Sequence, residues 1–182
     1  MEKVFGLISD YSPVREDGTR VVVCYGMTAV DGQHAKWFEI YLPKKQHANV
    51  GLAEVKKAIE DHINSRTENS ILNGFAYIVK HGDDQGKTVN TWLSKENQEN
   101  MTKLAASASA LTFPVVYKIG EEEDGTPVNE SFADAAELQA FSDDITKHFL
   151  QCLQNGWTEK ANFDWAPYEA LYPHPENTST EQ

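Results

Sequence analysis

With 182 residues, 40% of them hydrophobic and 24% charged, the chain has the composition of a globular protein of one large or two small domains. Its 16 Lys and Arg stand against 28 Asp and Glu, and a net charge of -12 opposes a phosphate backbone, which argues against nucleic-acid binding. No run approaches the roughly 18 apolar residues of a membrane span, and Cys24 and Cys152 are too few for a disulfide framework or a zinc site.

The start, Met1-Glu2-Lys3-Val4, has none of the regions of a secretion signal, so a soluble chain in a reduced compartment is expected. Residues 1–43 then read as an antiparallel β meander of three runs: Val4 to Tyr11, Arg20 to Ala29 and Lys36 to Leu42. The pairs Asp17-Gly18 and Asp31-Gly32 mark tight turns, because Gly tolerates the positive φ such turns need. Along the third run, Phe38, Ile40 and Leu42 alternate with Trp37, Glu39 and Tyr41, which suggests cover on both faces.

Pro43 to Gly51 reads as a connector. Leu52, Val55, Ile59 and Ile63 recur at helical spacing and predict an amphipathic helix over 52–66. A hairpin follows, with Phe75, Tyr77 and Val79 alternating before a turn at 82–86 and Val89 to Leu93 returning. Ser94 is placed to cap a helix running to about Ser109. Phe113 to Ile119 and Thr126 to Glu130 suggest a further hairpin around Gly120 to Gly125. Asp134 with Glu137 resembles a capping box, and Leu138, Phe141, Ile145, Phe149 and Cys152 recur at helical spacing until Gly156, placed to end the helix. The first four of these are expected to face one core with Leu93 and Leu104.

Chemistry-bearing patterns are few. Gly82-Asp83-Asp84-Gln85-Gly86-Lys87-Thr88 is one residue short of a phosphate-binding loop and is followed by a β-like run, so it reads as a hairpin turn. Asp144, His148 and Cys152 share one side of a helix, and a Cys–His pair can activate a thiolate. Cys152 nonetheless belongs to an apolar stripe, where a buried structural thiol is the simpler reading. The run Glu121-Glu122-Glu123-Asp124 lacks the alternating ligands of a calcium loop. No catalytic, cofactor-binding or metal-binding residue is assigned.

Trp157, Phe163, Trp165, Tyr168 and Tyr172 cluster after the last helix. They either fold back over a core or form a docking surface, since aromatic residues dominate interface hot spots. The candidate interface consists of these five residues.

The order of motifs over about residues 52–168 resembles a domain of unknown function found in phage and prophage proteins, often from Bacteroides-like hosts. The resemblance rests on the helix from Leu52, on Ile71-Leu72-Asn73-Gly74-Phe75 and on Thr91-Trp92-Leu93-Ser94-Lys95-Glu96-Asn97-Gln98. It continues through Phe113-Pro114-Val115, Phe132 and Cys152-Leu153-Gln154-Asn155-Gly156-Trp157, and closes with Asp164-Trp165-Ala166-Pro167-Tyr168. The segment Lys80–Gln85 is longer than the compact turn the resemblance implies. What it implies is a tail-region phage protein, with no catalytic residues supplied.

The fold expected is α+β: an N-terminal antiparallel β meander, then a domain of β-hairpins and two to three amphipathic helices. Residues 1–46 form the first module, 52–172 the phage-associated domain and 173–182 a tail. Read as a whole, the chain is expected to be a non-enzymatic structural or adaptor component of a bacteriophage virion (tail, collar or fibre attachment), oligomeric within the assembly and partnered by other phage structural proteins. It would be found in the virion, and in the host cytoplasm during assembly. A fibre-assembly chaperone absent from the particle and a Cys–His hydrolase are the alternatives.

Overall fold

The computed structural model describes residues 2–44 and 50–172, so the expected tail and most of the connector lie outside the described residues. The fold is α+β, as strands and helices in separate runs rather than regular βαβ units predict. Its two compact units do not follow chain order. One comprises Met1–Asn64 with Glu159–Gln182, the other Ser65–Thr158.

The first unit holds a four-stranded antiparallel sheet of β1 (Val4–Leu7), β2 (Val14–Asp17), β3 (Arg20–Ala29) and β4 (His34–Pro43), in the order β1-β4-β3-β2. Both Asp-Gly pairs close hairpins. At the second, the Asp31 carboxylate accepts the backbone N–H of Gln33 at 2.7 Å and of His34 at 2.8 Å. The sequence predicts three strands, and β2 is the unforeseen fourth. It is an edge strand of sequence Val-Arg-Glu-Asp, paired with β3 alone among the described strands, so no hydrophobic alternation betrays it.

Side chains alternate along β3, and both faces are used. Val21, Val23 and Tyr25 pack with Phe38 beneath Val55 and Ile59 of α1 (Leu52–Leu72). On the other face, Val22, Cys24, Ala35 and Trp37 are covered by Ile8 and Tyr11, from the segment following β1. Trp37 and Phe38 are therefore buried on opposite faces of β4, as its pattern suggests, while Tyr41 is exposed. Complete burial of each such side chain contributes about 1.5–3 kcal/mol.

In the second unit, β5 (Ala76–Ile78) pairs with β6 (Thr88–Asn90), and β7 (Val115–Glu121) with β8 (Pro127–Phe132). Two helices close it, α2 (Lys95–Ala106) and α3 (Ala135–Ala161). The Ser94 hydroxyl accepts the Asn97 N–H at 3.2 Å, as expected of a cap. Asp134 accepts the N–H groups of Ala136 and Glu137, while Glu137 reaches back to the N–H of Ala133 at 2.8 Å. The predicted box is thus present, with its return bond one residue early.

Leu138, Phe141 and Ile145 are buried with Leu93, and Leu104 packs against the same core. Phe149 departs from the stripe and is 36% exposed. It lines a shallow groove between α2 and α3, together with Met101 and Ile145. Two helix ends also differ from expectation. The first helix runs on to Leu72, because polar residues after Ile63 hide its continuation from a hydrophobic count. Gly156 does not end α3 but sits buried within it, where a Cβ would come within 2.3 Å of the Thr67 hydroxyl. A short helix, α4 (Ala166–Glu169), follows in the first unit.

Candidate functional site

The second unit presents a groove of about 250 Å³ lined by Leu72, Asn73, Asn90, Thr91, Trp92 and Glu121. Alternation builds its aromatic wall. Val89, Thr91 and Leu93 are buried, so Asn90 and Trp92 between them are sent outward. Trp92 keeps 50% of its surface exposed.

Close backbone approach builds the rest. Thr91 exchanges main-chain and side-chain bonds with Phe75: its N–H reaches the Phe75 carbonyl at 2.9 Å, and its hydroxyl accepts the Phe75 N–H at 3.0 Å. Gly74, at φ +67°, turns the chain just before; a Cβ there would stand 1.9 Å from the Thr91 carbonyl oxygen. On the opposite side the Trp92 N–H bonds the Ile119 carbonyl at 2.7 Å, next to an irregularity in the β7 ladder. There Gly120 admits the Asn90 carbonyl, which a Cβ would meet at 2.6 Å. Bulges of this kind re-aim neighbouring side chains.

Charge at the groove is balanced. Glu121 is ion-paired with Lys118, whose ammonium also lies 4.8 Å from the centre of the Trp92 ring.

A second surface belongs to the first unit. The register pairs Phe5 with Lys36 and Leu7 with His34, and Lys36 in turn with Thr28. Paired residues share a face, so Phe5 and Leu7 lie together, with the Phe5 ring stacked on His34 at 5.1 Å. Val30, just past the end of β3, bonds the His34 carbonyl through its N–H and so lies across β4 from them, with His34 and Lys36 between. Phe5, Leu7 and Val30 are 56%, 44% and 54% exposed. By register, Phe5 and Leu7 lie on the face on which Phe38 packs in the core with α1, and the Lys3 ammonium sits over the Phe38 ring.

Elsewhere, two largely buried carboxylates, Glu130 and Glu39, are committed to structure. Glu130, 1% exposed, accepts the Tyr77 hydroxyl and the backbone N–H groups of Lys80, His81 and Ser131 at 2.7–3.0 Å. Those bonds order the long segment after β5, whose Asp84 also receives the Asn129 N–H. The Tyr77 hydroxyl is held well above the usual phenol range by burial and by Glu130. In the first unit Glu39 accepts from Arg15, Trp37 and Tyr41. Burial opposes its ionisation, yet the three donors outweigh burial and hold its carboxyl below the usual range.

The residues singled out in sequence fall into different places. Phe163, Trp165 and Tyr168 do come together, with ring centres 4.3–6.1 Å apart, and Tyr172 packs on the same core as they do. Tyr168 is buried, and Phe163, Trp165 and Tyr172 are partly buried against the sheet. Trp157 belongs to the second unit and is 57% exposed. Cys152 is buried, its sulfur 3.6 Å from His148 Nε2, and burial pushes its thiol up, which disfavours the thiolate. Cys24, fully buried, is pushed up by burial and by Glu39. Of the segment 82–88, residues 82–87 form the hairpin turn, as read, and Thr88 opens β6. The acidic run crosses from the end of β7 into the turn before β8, where Glu122 pairs with Lys87.

Sequence reasoning missed the Trp92 groove because three distant segments build it. The available signal was Trp92 standing out of phase between Thr91 and Leu93.

No curated protein and no solved structure matches the chain. A family model does match residues 54–174, some two thirds of the chain. The chain belongs to that family, described as Domain of unknown function (DUF4376).

Proposed function

We propose that this protein is a structural or adaptor component of a bacteriophage virion, at the tail, collar or fibre attachment, acting through protein–protein contacts. The observation that carries the reading is the exposure of Phe5 and Leu7 together on the edge strand β1, with Val30 exposed across β4 from them. Large apolar side chains left exposed in a group mark contacts. The edge strand β1, which carries Phe5 and Leu7, has a partner strand on one side only among the described residues, the geometry that strand addition uses. The motif order of residues 52–168, which resembles domains of phage and prophage proteins of Bacteroides-like hosts, supplies the phage context. A net charge of -12 favours dispersed free subunits until specific surfaces meet.

A non-enzymatic role is supported by how the reactive groups are used. Both thiols are buried and hard to ionise, and Glu130 is bound by four donors.

The test is mass spectrometry of purified virions from the phage encoding the chain. Stoichiometric presence supports a particle component. Absence from particles, with abundance in the infected lysate, defeats that reading in favour of an assembly chaperone.

A further inference from the structure

We propose that the Trp92 groove binds a neutral sugar residue. A sugar ring offers an apolar C–H face and a rim of hydroxyls, and the groove offers the complement of both. Trp92 supplies a broad, half-exposed aromatic surface on a backbone fixed by its main-chain N–H bond to the Ile119 carbonyl, with the Lys118 ammonium over one face of the ring. Around it stand the exposed amides of Asn73 and Asn90, each able to donate and accept, and the Glu121 carboxylate, which accepts.

Three features narrow the ligand class. The volume of about 250 Å³ lies below the ~300–1,000 Å³ typical of drug-sized ligands, which leaves room for about one ring. Pairing of Glu121 with Lys118 leaves no net charge at the rim to hold an ion. The overall charge of -12 further disfavours anions, so a neutral, hydroxyl-rich ligand is the best match. Rigidity is built in as well: Gly74 and Gly120 admit the approaches to Thr91 and Asn90 that fix the walls, so little ordering is needed on binding.

This inference does not rest on the assembly reading, and each can fail alone. The experiment is saturation-transfer NMR on the full chain with glucose, galactose, mannose and N-acetylglucosamine at millimolar concentration, and with glucuronate as the charged comparison. At least one neutral sugar should give a saturable signal, with glucuronate weaker. Trp92→Ala should weaken binding at least about tenfold and Asn90→Ala several-fold. Trp157→Ala, at the other strongly exposed tryptophan, should leave it unchanged. Asn90 is exposed, so Asn90→Ala keeps the test valid if Trp92→Ala disturbs the fold. No signal from any neutral sugar overturns the proposal, as does preference for glucuronate or binding that survives both groove substitutions.

Discussion

Tyr168 donates its hydroxyl hydrogen to the backbone carbonyl of Cys24 at 2.7 Å, joining residues 144 positions apart in the chain. That bond makes the C-terminal aromatic segment part of the same core as the N-terminal sheet. Tyr168→Phe should therefore cost about 1 kcal/mol, the net worth of a buried hydrogen bond. Tyr168→Ala should cost about 3–5 kcal/mol, because it also opens a cavity. Urea unfolding of both variants checks this, and an Ala variant within 1 kcal/mol of wild type, a loss too small for a buried aromatic ring, would contradict it.

The same relationship bears on truncation. Residues 1–46 alone lack Val55, Ile59 and Tyr168, which cover one face of the sheet, and should not unfold cooperatively. Joining residues 1–64 to 159–172 by a flexible linker should restore a cooperative thermal transition. An isolated 1–46 fragment with a sharp transition of its own would show that the sheet needs neither element.

Glu130→Gln should destabilise the second unit by about 1.5–3 kcal/mol, since an amide cannot satisfy all four donors that converge on the carboxylate. Amide hydrogen exchange of Lys80 and His81 should accelerate with it. Unchanged protection at both positions would mean that the segment after β5 is ordered by other bonds.

Glu39 gives the first unit a pH dependence of definite sign. Its folded-state carboxyl titrates below the usual range, so the unfolded chain binds its proton first as pH falls. Its contribution is complete above the ordinary carboxylate range and is lost as pH drops through the folded value. The stability gap between wild type and Glu39→Gln should be widest near neutrality and shrink on acidification. A gap that grows towards acid would reverse the assignment.

How much of this was legible in the sequence depended on pattern. Leu138, Phe141 and Ile145 repeat with the helical period, and Asp17-Gly18 carries turn chemistry, so these features could be read directly. β2 could not, because an edge strand needs no apolar alternation. Gly156 misled because a glycine that ends a helix and one that admits a neighbouring side chain look alike in sequence. The aromatic segment 163–172 could be read as core lining or docking surface, and only the path of the chain brings Tyr168 to Cys24. Phe5 and Leu7 could not be read as exposed for a similar reason, since only the pairing of β1 with β4 fixes which face they share and that β1 is an edge.

Those two residues carry the functional account, and one paired measurement tests it most directly. Particles would be grown from a genome encoding Phe5→Asp with Leu7→Asp, and incorporation quantified by mass spectrometry beside a thermal melt of the purified variant. Both side chains are exposed, so the melt should stay close to wild type. Incorporation should fall at least about tenfold, because two charges would be desolvated at the contact. Wild-type incorporation by a normally folded variant would contradict the claim that this sheet face joins the protein to its assembly.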